Sequence, residues 1–396
     1  MTFVKVSNTV IHCRVTGTAG RPRLVFLNSL GSDFRIWEEV EDRLRHRFEL
    51  LFVNKRGHGL SEAVAGPYTV RQLADDVLGV LDALGWKSTS VVSLSIGGLI
   101  AQQIALQAPE RVEALVLMDT AAKIGSADSW NERIAAVEAG GMQSISEAVV
   151  SRWLTSDFRE AQPTAYTGWR SMLEATSTEG YRGCCAALRD ADLTLDVGRI
   201  TAPTLVLCGD DDKPTPPDLV RATGERIPGA RFILIPGAGH LPCLEQPQQV
   251  ASLIAEHVEA ANWEKAQAAS RFDAGMAVRR RVLGDAHVNR ASGSATPFDA
   301  AFQRFITEGA WGTVWSNPHL SLRERSMITI ALLAALGQED EVAMHVRATR
   351  NTGASEEDIA EALMHVAVYA GVPAANHAIK IAKKTLIEMR EEKQPQ

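Results

Sequence analysis

A serine at a predicted strand-to-helix turn is the first residue of this sequence that could do chemistry. The apolar run 89–94 leads into Ser95, and a helical pattern begins at once with Gly97 and Gly98. Small residues are needed in such a turn because backbone segments pass close together, and the turn lifts the serine hydroxyl off the sheet. The usual Gly-x-Ser-x-Gly pattern has Ser93 at its first position here. We therefore expect Ser95 to be a nucleophile on a slightly strained turn.

An acid follows later in the chain, as serine catalysis requires. The strand-like run 204–209 ends at Gly209 and is followed by three consecutive acids. Asp212, three residues after the glycine, occupies the usual register, and Asp210 and Asp211 are the alternatives.

The base comes last, in the order serine, acid, histidine. His240 lies in a loop after the last apolar run, within the segment GAGHLPCLEQP. A lone loop histidine is usually a surface residue, but this position predicts that His240 takes the proton from Ser95. Asp212 would then fix the tautomer of the imidazole and stabilise its charged form.

Two backbone N–H groups should hold the oxyanion of such a reaction. One is the amide of Ile96, directly after the nucleophile. The other is expected in the loop after the first apolar strand, where the sequence reads NSLG and the amide of Leu30 is the candidate donor.

Six apolar runs of strand length position these residues. Each is followed by turn residues and a helical period, which is typical of a parallel sheet covered on both faces. The runs are 23–28, 49–54, 89–94, 114–119, 204–209 and 231–236. Between about 120 and 200 the rhythm stops, and a mostly helical segment with three tryptophans predicts a cap over the site. We assign this first domain to residues 1–262.

Residues 263–396 are expected to form a second, all-helical domain. Ser355 and Asp358 predict a capping box at the start of one helix. Gly337, Gly353 and Gly371 fall where helices should end.

Composition excludes several classes of function. The net charge is -7 with no basic run, which argues against nucleic acid and anionic membranes as partners. The longest apolar stretch, 328–336, is far shorter than the roughly 18 residues that span a bilayer. The five cysteines show no metal-type spacing. Their odd number and the absence of a signal-like N-terminus favour a reducing cytoplasm.

The first domain is similar to the 3-oxoadipate enol-lactonase family of α/β-hydrolases. The similarity rests on NSLGSDFRIW, SLSIGG, RWLTSDFR and GAGHLPCLEQP. It implies an α/β-hydrolase fold with a helical cap, and hydrolysis of a small enol-lactone that carries a free carboxylate, without metal or cofactor. Arg35, Arg133 and Arg159 are then candidate carboxylate partners; otherwise each is a surface arginine.

The second domain resembles 4-carboxymuconolactone decarboxylases from RRRVLGDAHVNR to YAGVPAANHA. These proteins share a helical fold with the alkylhydroperoxidase group, which uses C-x-x-C and, after three intervening residues, a histidine. The corresponding positions here are Gln338, Glu341 and His345, so thiol chemistry is excluded at this site. Glu341 and His345 stand at i,i+4 on one helix face, where the carboxylate could orient the imidazole and raise its basicity. The alternative is a solvated helical ion pair.

Other residues of the second domain are candidates for substrate contacts. Arg325 and Arg347 could hold substrate carboxylates, and Tyr369 and His377 are further pocket candidates. We expect His345 to transfer the proton and Glu341 to orient it, although the two roles could be exchanged.

The two resemblances imply consecutive steps of one pathway, the protocatechuate branch that leads to 3-oxoadipate. In 4-carboxymuconolactone the electrons left by the departing carboxylate delocalise to the lactone carbonyl, so the substrate serves as its own electron sink. Two alternatives stay open. One is a broad esterase with a non-catalytic helical tail; the other makes the helical domain an oligomerisation module, and we expect homo-oligomers through its apolar faces.

Overall fold

The chain divides into two units, Met1–Ala261 and Asn262–Gln396. The structure is a computed structural model that describes residues 2–268, 271–294, 296 and 298–392, without the side chains of 264–268. None of the helices in these ranges is both long and apolar enough to cross a membrane.

The first unit is built on an eight-stranded sheet. Its strands are β1 (Thr2–Val6), β2 (Thr9–Gly17), β3 (Arg23–Leu27), β4 (Glu49–Val53), β5 (Thr89–Leu94), β6 (Val112–Met118), β7 (Thr204–Gly209) and β8 (Arg231–Ile235). Their order is β1-β2-β4-β3-β5-β6-β7-β8. The β1–β2 and β2–β4 pairs are antiparallel, and all later pairs are parallel. The central strands β5 and β7 are buried at every residue, which is why they read as unbroken apolar runs.

Helices cover this sheet and form the cap. They are α1 (Glu38–Leu44), α2 (Val70–Ala83), α3 (Ile96–Gln107), α4 (Ala127–Gly140), α5 (Gln143–Val150), α6 (Ser156–Ala161), α7 (Pro163–Glu174), α8 (Thr178–Asp190), α9 (Pro217–Gly224), α10 (Pro242–Glu245) and α11 (Pro247–Ala268). Three short 3₁₀ helices lie at Phe34–Trp37, Pro109–Arg111 and Val197–Arg199. Five helices, α4 to α8, fill the chain between β6 and β7, in the segment predicted to form the cap.

The second unit is all-helical in its described residues. Its elements are α12 (Arg271–Leu283), α13 (Asp285–Gly293), α14 (Ala300–Ile306), a π-helix (Thr307–Trp315), α15 (Leu322–Ala335), α16 (Glu339–Thr352), α17 (Glu356–Tyr369) and α18 (Val372–Glu391). One apolar core lies among α15 to α18, and a smaller one joins α12, the π-helix and α16.

Local signals set the ends of several of these helices. The predicted capping box of Ser355 and Asp358 is confirmed at the start of α17. Gly337, Gly353 and Gly371 all have positive φ at helix ends, where a residue with a Cβ would be strained. The predicted architecture, a mostly parallel sheet covered by helices and followed by an all-helical unit, is confirmed in the described residues.

Candidate active sites

The candidate nucleophile lies on a strained turn between β5 and α3. Ser95 has φ 58° and ψ -121°, a conformation that residues with a side chain rarely adopt. A Cβ on Gly97 would lie 2.5 Å from the Leu27 carbonyl oxygen, so only glycine fits there. Ser93 keeps ordinary strand geometry within β5, and its hydroxyl donates to the Val116 carbonyl at 2.8 Å. The strained backbone of this turn is therefore at Ser95 and not at Ser93, which replaces the usual glycine.

An acid–base pair lies at the same edge of the sheet, because Asp212 follows β7 and His240 follows β8. His240 Nδ1 donates to Asp212 Oδ1 at 2.9 Å. Thr215 donates its backbone N–H to the same oxygen at 3.1 Å and its hydroxyl to Oδ2 at 2.5 Å. Burial alone would raise the pKa of Asp212. The charge of His240 and these hydrogen bonds outweigh burial, so the pKa of Asp212 lies below its ordinary value. This is the geometry needed for a carboxylate that orients a histidine base.

The two alternative acids have other partners. Asp211 forms an ion pair with Lys213 at the surface. Asp210 accepts a hydrogen bond from the Ala238 backbone N–H at 3.2 Å. Of the three consecutive acids, the structure thus places Asp212 against His240.

The loop that carries His240 is fastened to the cap. The Trp153 carbonyl accepts the backbone N–H of His240 at 2.8 Å. The carboxylate of Glu245 accepts the Gly239 N–H at 2.6 Å and the Thr155 hydroxyl at 2.6 Å. Glu245 is a positioning residue that sequence reasoning missed, because its cap partner Thr155 lies 90 residues away in the chain.

The oxyanion loop after β3 is held by two buried side chains from the loop after β4. Lys55 donates to the Ser29 carbonyl at 2.6 Å, and burial lowers the pKa of Lys55 to about 8. His58 Nε2 accepts the Gly31 N–H at 3.0 Å. The described residues offer no acceptor to the Leu30 amide. Leu30 is therefore placed as a donor, together with Ile96, whose N–H opens α3 and lacks an intrahelical acceptor.

In the helical unit, His345 lies against two tryptophan rings of the π-helix. Its ring centroid is 5.7 Å from that of Trp315 and 6.4 Å from that of Trp311, with nearly parallel planes. His345 is only 5% exposed, and its Nδ1 has no hydrogen-bond partner among the described residues. Burial, followed by the neighbouring His287, lowers the pKa of His345 to about 4. The imidazole is therefore neutral near pH 7.

The predicted contact between Glu341 and His345 is wrong. Glu341 is exposed in the first turn of α16 and forms no hydrogen bond to His345 in the described structure, because the imidazole turns towards the tryptophans. The charge of Glu341 acts instead on His287, whose pKa is lowered by burial and partly restored by that charge. An ion pair between Glu341 and His345 is not formed either.

Comparison with known proteins identifies both units. Residues 24–253 match the Alpha/beta hydrolase family, and residues 300–384 match the Carboxymuconolactone decarboxylase family. The chain belongs to the alpha/beta hydrolase family. It joins such a hydrolase domain to a decarboxylase-family domain, and it is thus an enzyme with two parts.

Individual relatives agree with this division. The chain is 34% identical over 232 residues to 3-oxoadipate enol-lactonase 2 of Acinetobacter baylyi, covering 59% of this chain and 86% of that protein. It is 44% identical over 119 residues to 4-carboxymuconolactone decarboxylase of the same organism, covering 30% and 89%. The crystal structure of the enol-lactonase from Burkholderia xenovorans LB400 superimposes with TM-score 0.64 at 34% identity, over 65% of this chain and 99% of that one.

The three arginines proposed for the hydrolase domain differ in position. Arg35 is exposed and pairs with the buried Asp33, and Arg159 donates to the Thr155 carbonyl at 3.3 Å. Arg133 donates to the Tyr181 hydroxyl at 3.2 Å. The Tyr181 ring covers Gly31, where an added Cβ would lie 3.1 Å from it. Arg133 is therefore linked to the oxyanion loop through Tyr181, whereas Arg35 pairs with Asp33 at the end of that loop.

The arginines proposed for the decarboxylase domain also differ. Arg347 forms ion pairs with Glu388 and Glu392 at the surface, so its predicted contact with substrate has no support in the structure. Arg325 is buried and donates to the Asn317 carbonyl at 2.5 Å, while its Nε has no partner in the described residues. Burial lowers the pKa of Arg325.

The remaining two pocket candidates lie at the surface. Tyr369 is 83% exposed. His377 pairs with Glu339 at 2.7 Å and borders a groove between α15, α16 and α18. Neither is brought to His345 by any described contact.

Sequence reasoning missed a buried cation of the helical unit that lies near His287. Arg279 of α12 donates to Gln303 at 3.3 Å and to the Thr307 hydroxyl at 3.4 Å, and its Nε has no partner among the described residues. His287 lies close enough to both Arg279 and His345 that their charges affect one another. The only signal for them was the motif RRRVLGDAHVNR, which does not reveal which side chains point inwards.

One group of side chains in the hydrolase domain is close enough to hold a metal ion. Of the described residues, Asp119, Cys208 and Asp212 have ligand atoms within 4.8 Å of one another. The oxygens of Asp212 already accept bonds from His240 and Thr215. Burial also raises the pKa of the Cys208 thiol, which disfavours the thiolate that a metal needs. This donor set does not suit a cation.

Proposed function

We propose that this chain catalyses two consecutive reactions: its helical domain decarboxylates 4-carboxymuconolactone to 3-oxoadipate enol-lactone, and its hydrolase domain converts that lactone to 3-oxoadipate. The hydrogen bond of 2.9 Å between Asp212 and His240, at the same sheet edge as the Ser95 turn, is the main support for the hydrolysis. The names of the two Acinetobacter baylyi relatives support the choice of substrates.

Hydrolysis would follow the serine mechanism. His240 takes the proton of Ser95 as the serine oxygen attacks the lactone carbonyl, and the amides of Leu30 and Ile96 hold the oxyanion. Collapse breaks the ring C–O bond, and the departing enol oxygen receives the proton and becomes a ketone. Water, activated by His240, then releases the acyl group from Ser95.

Decarboxylation would use the substrate as its own electron sink. The C–C bond to the leaving carboxylate breaks, carbon dioxide departs, and the electron pair delocalises through the conjugated double bond to the carbonyl oxygen of the lactone as a dienolate. A proton must then reach the carbon next to the lactone carbonyl.

We assign the proton for that carbon to His345, although its pKa of about 4 makes it neutral near pH 7 before substrate binds. An anionic carboxylate bound beside an imidazole favours its protonated form. We therefore expect His345 to take up a proton when the doubly anionic substrate binds and to deliver it after carbon dioxide leaves. The unpartnered Nε of Arg279 is the candidate donor to a substrate carboxylate.

The test measures carbon dioxide release and lactone loss separately on one sample. Ser95→Ala should reduce lactone hydrolysis on the order of 10⁴-fold and let enol-lactone accumulate, with decarboxylation intact. His345→Gln should stop carbon dioxide release and leave hydrolysis intact. His319→Gln, which changes an exposed loop histidine, is the matched control. Normal lactone turnover by Ser95→Ala, or normal carbon dioxide release by His345→Gln, would refute the corresponding half of the proposal.

One observation favours a second candidate function. The helical unit exposes many large apolar side chains, which is typical of an assembly surface. The chain could then be a broad-specificity esterase whose helical unit only holds subunits together. In that case the wild-type chain itself would release no carbon dioxide from 4-carboxymuconolactone.

A further inference from the structure

A second carboxyl group lies against the acid of the hydrolase site and has no part in the mechanism above. Asp119 directly follows β6, the strand that neighbours β7, and Asp212 follows β7. Their carboxyl groups lie within 4.8 Å of each other. Asp119 is completely buried, with 0% of its surface exposed. Two like charges this close in the interior repel strongly, so one of the two groups should hold a proton.

The surrounding donors decide which one. Asp212 accepts three hydrogen bonds, from His240 and from both donors of Thr215. Asp119 Oδ1 accepts the Gly209 backbone N–H at 2.8 Å, and its buried Oδ2 has no regular hydrogen-bond partner among the described residues. The Cys208 thiol also interacts with the Asp119 carboxyl and favours its charged form, but more weakly than burial and the charge of Asp212 oppose it. A negative charge is therefore better stabilised on Asp212, and Oδ2 of Asp119 is the oxygen left to carry a proton.

On balance, the groups around Asp119 favour the same assignment. Burial, then the charge of Asp212, raises the pKa of Asp119 well above its ordinary value. The neighbouring thiols of Cys208 and Cys243 have pKa values raised by burial, so they contribute no charge near pH 7. Asp210 adds a further negative charge that acts on Cys208. Apart from His240, none of these groups offers Asp119 a positive charge.

The backbone at Asp119 is strained as well. Its φ is 46°, and besides Ser7 the other described non-glycine residue with positive φ is the candidate nucleophile Ser95. Such strain persists where the surrounding structure requires one side-chain position, and it concentrates at functional sites. Asparagine tolerates this conformation about as well as aspartate does.

We propose that Asp119 is a positioning residue of the hydrolase site: as a carboxylic acid it donates its Oδ2–H to the Asp212 carboxylate and holds that carboxylate against His240. This inference rests on the proposed serine-hydrolase function of the first domain. The added hydrogen bond makes Asp212 less basic and limits its rotation away from the imidazole. Asparagine would reproduce both bonds, since its oxygen can accept from Gly209 and its amide can donate to Asp212.

The activity test compares two variants on the enol-lactone and on a simple aryl ester. Asp119→Asn should keep kcat within about threefold of the wild type. Asp119→Gly suits the positive φ but removes both bonds, and kcat should fall at least tenfold with a smaller change in KM. The acid limb of kcat/KM should also move to higher pH in Asp119→Gly, because a more basic Asp212 holds the charged imidazole more tightly. Full activity of Asp119→Gly, or an equal loss in Asp119→Asn, would overturn the proposal.

Infrared spectroscopy tests the proton directly and does not depend on turnover. The difference spectrum between wild type and Asp119→Asn at pH 7 should contain the carbonyl stretch of a protonated carboxylic acid. Absence of that band would overturn the proposal even if Asp119→Gly fails to fold. If the wild type hydrolyses neither substrate, the proposed hydrolase function fails, and the infrared band still decides the state of Asp119.

Discussion

At the scale of single residues, the hydrogen bond between Asp212 and His240 leads to a clear expectation. Asp212→Asn replaces the accepting oxygen with a group that favours the wrong imidazole tautomer, so hydrolysis should fall on the order of 10⁴-fold with the fold intact. Asp211→Asn, one position away and paired with Lys213 at the surface, is the control and should retain activity. Steady-state hydrolysis of the enol-lactone measures both. A crippled Asp211→Asn would mean that the acid has been misassigned.

A second residue-scale prediction follows from the buried imidazole of the helical unit. His345 has a pKa near 4 when folded and near 6.5 when unfolded, so only the unfolded chain binds its proton between these values. Stability from this group is therefore complete above about pH 6.5 and is lost as the pH falls towards 4. At about 1.4 kcal/mol for each pKa unit, the free energy of unfolding falls by about 3 kcal/mol over this range.

His345→Gln removes the titrating group and should flatten this part of the pH dependence. Urea unfolding near pH 7 and near pH 4.5 is the measurement, with amide exchange in α16 reporting on the helical unit separately. His319→Gln controls for losing an exposed histidine. Equal acid sensitivity of wild type and His345→Gln would show that His345 is not buried in its neutral form.

At the scale of elements, two glycines of the π-helix form an internal comparison. A Cβ on Gly312 would lie 2.4 Å from the Arg271 carbonyl oxygen of α12, whereas a Cβ on Gly309 would meet nothing within 4 Å. Gly312→Ala should thus push the π-helix from α12 and destabilise the helical unit by about 2 kcal/mol. Gly309→Ala should be neutral or stabilise by up to about 1 kcal/mol. Thermal unfolding of the two variants distinguishes these outcomes, and similar melting temperatures would contradict the close packing.

The same elements show what a sequence can reveal. Strands such as β5 and β7 were predictable because strands buried on both faces must be apolar throughout. The π-helix was not, since residues 298–315 have a continuous helical pattern and the widened turn depends on packing against α12. The start of α17 was predictable because its capping box is local in the chain.

Contacts between distant segments account for most of what was missed in the sites. The spacing of Glu341 and His345 is compatible with a contact, but the tryptophans of another element compete for the imidazole. Asp119 ends a predicted strand, yet nothing local shows that it faces Asp212. Ser95 was accessible from sequence because the turn that holds it is built by its immediate neighbours.

At the scale of the whole molecule, the helical unit presents apolar surface that a single chain leaves uncovered. Ile328, Leu332 and Leu336 are exposed and spaced four residues apart along α15 and its end, so they share one face. Met364 and Val368 form a similar exposed pair on α17. Clustered apolar side chains of this kind mark association surfaces, and we propose that further copies of this chain cover them.

Leu332→Glu should therefore dissociate the assembly, because a charge in the middle of this apolar face would have to be buried without a partner. Sedimentation velocity should show a smaller particle than the wild type, while lactone hydrolysis by the separate Ser95 site continues. Leu195→Glu is the control, since Leu195 is 93% exposed in the first unit and lies outside the proposed surface. A wild-type chain that sediments as a monomer would rule out self-association, and the exposed α15 face would then need a different explanation. A Leu332→Glu variant that keeps the wild-type size would show that subunits meet elsewhere.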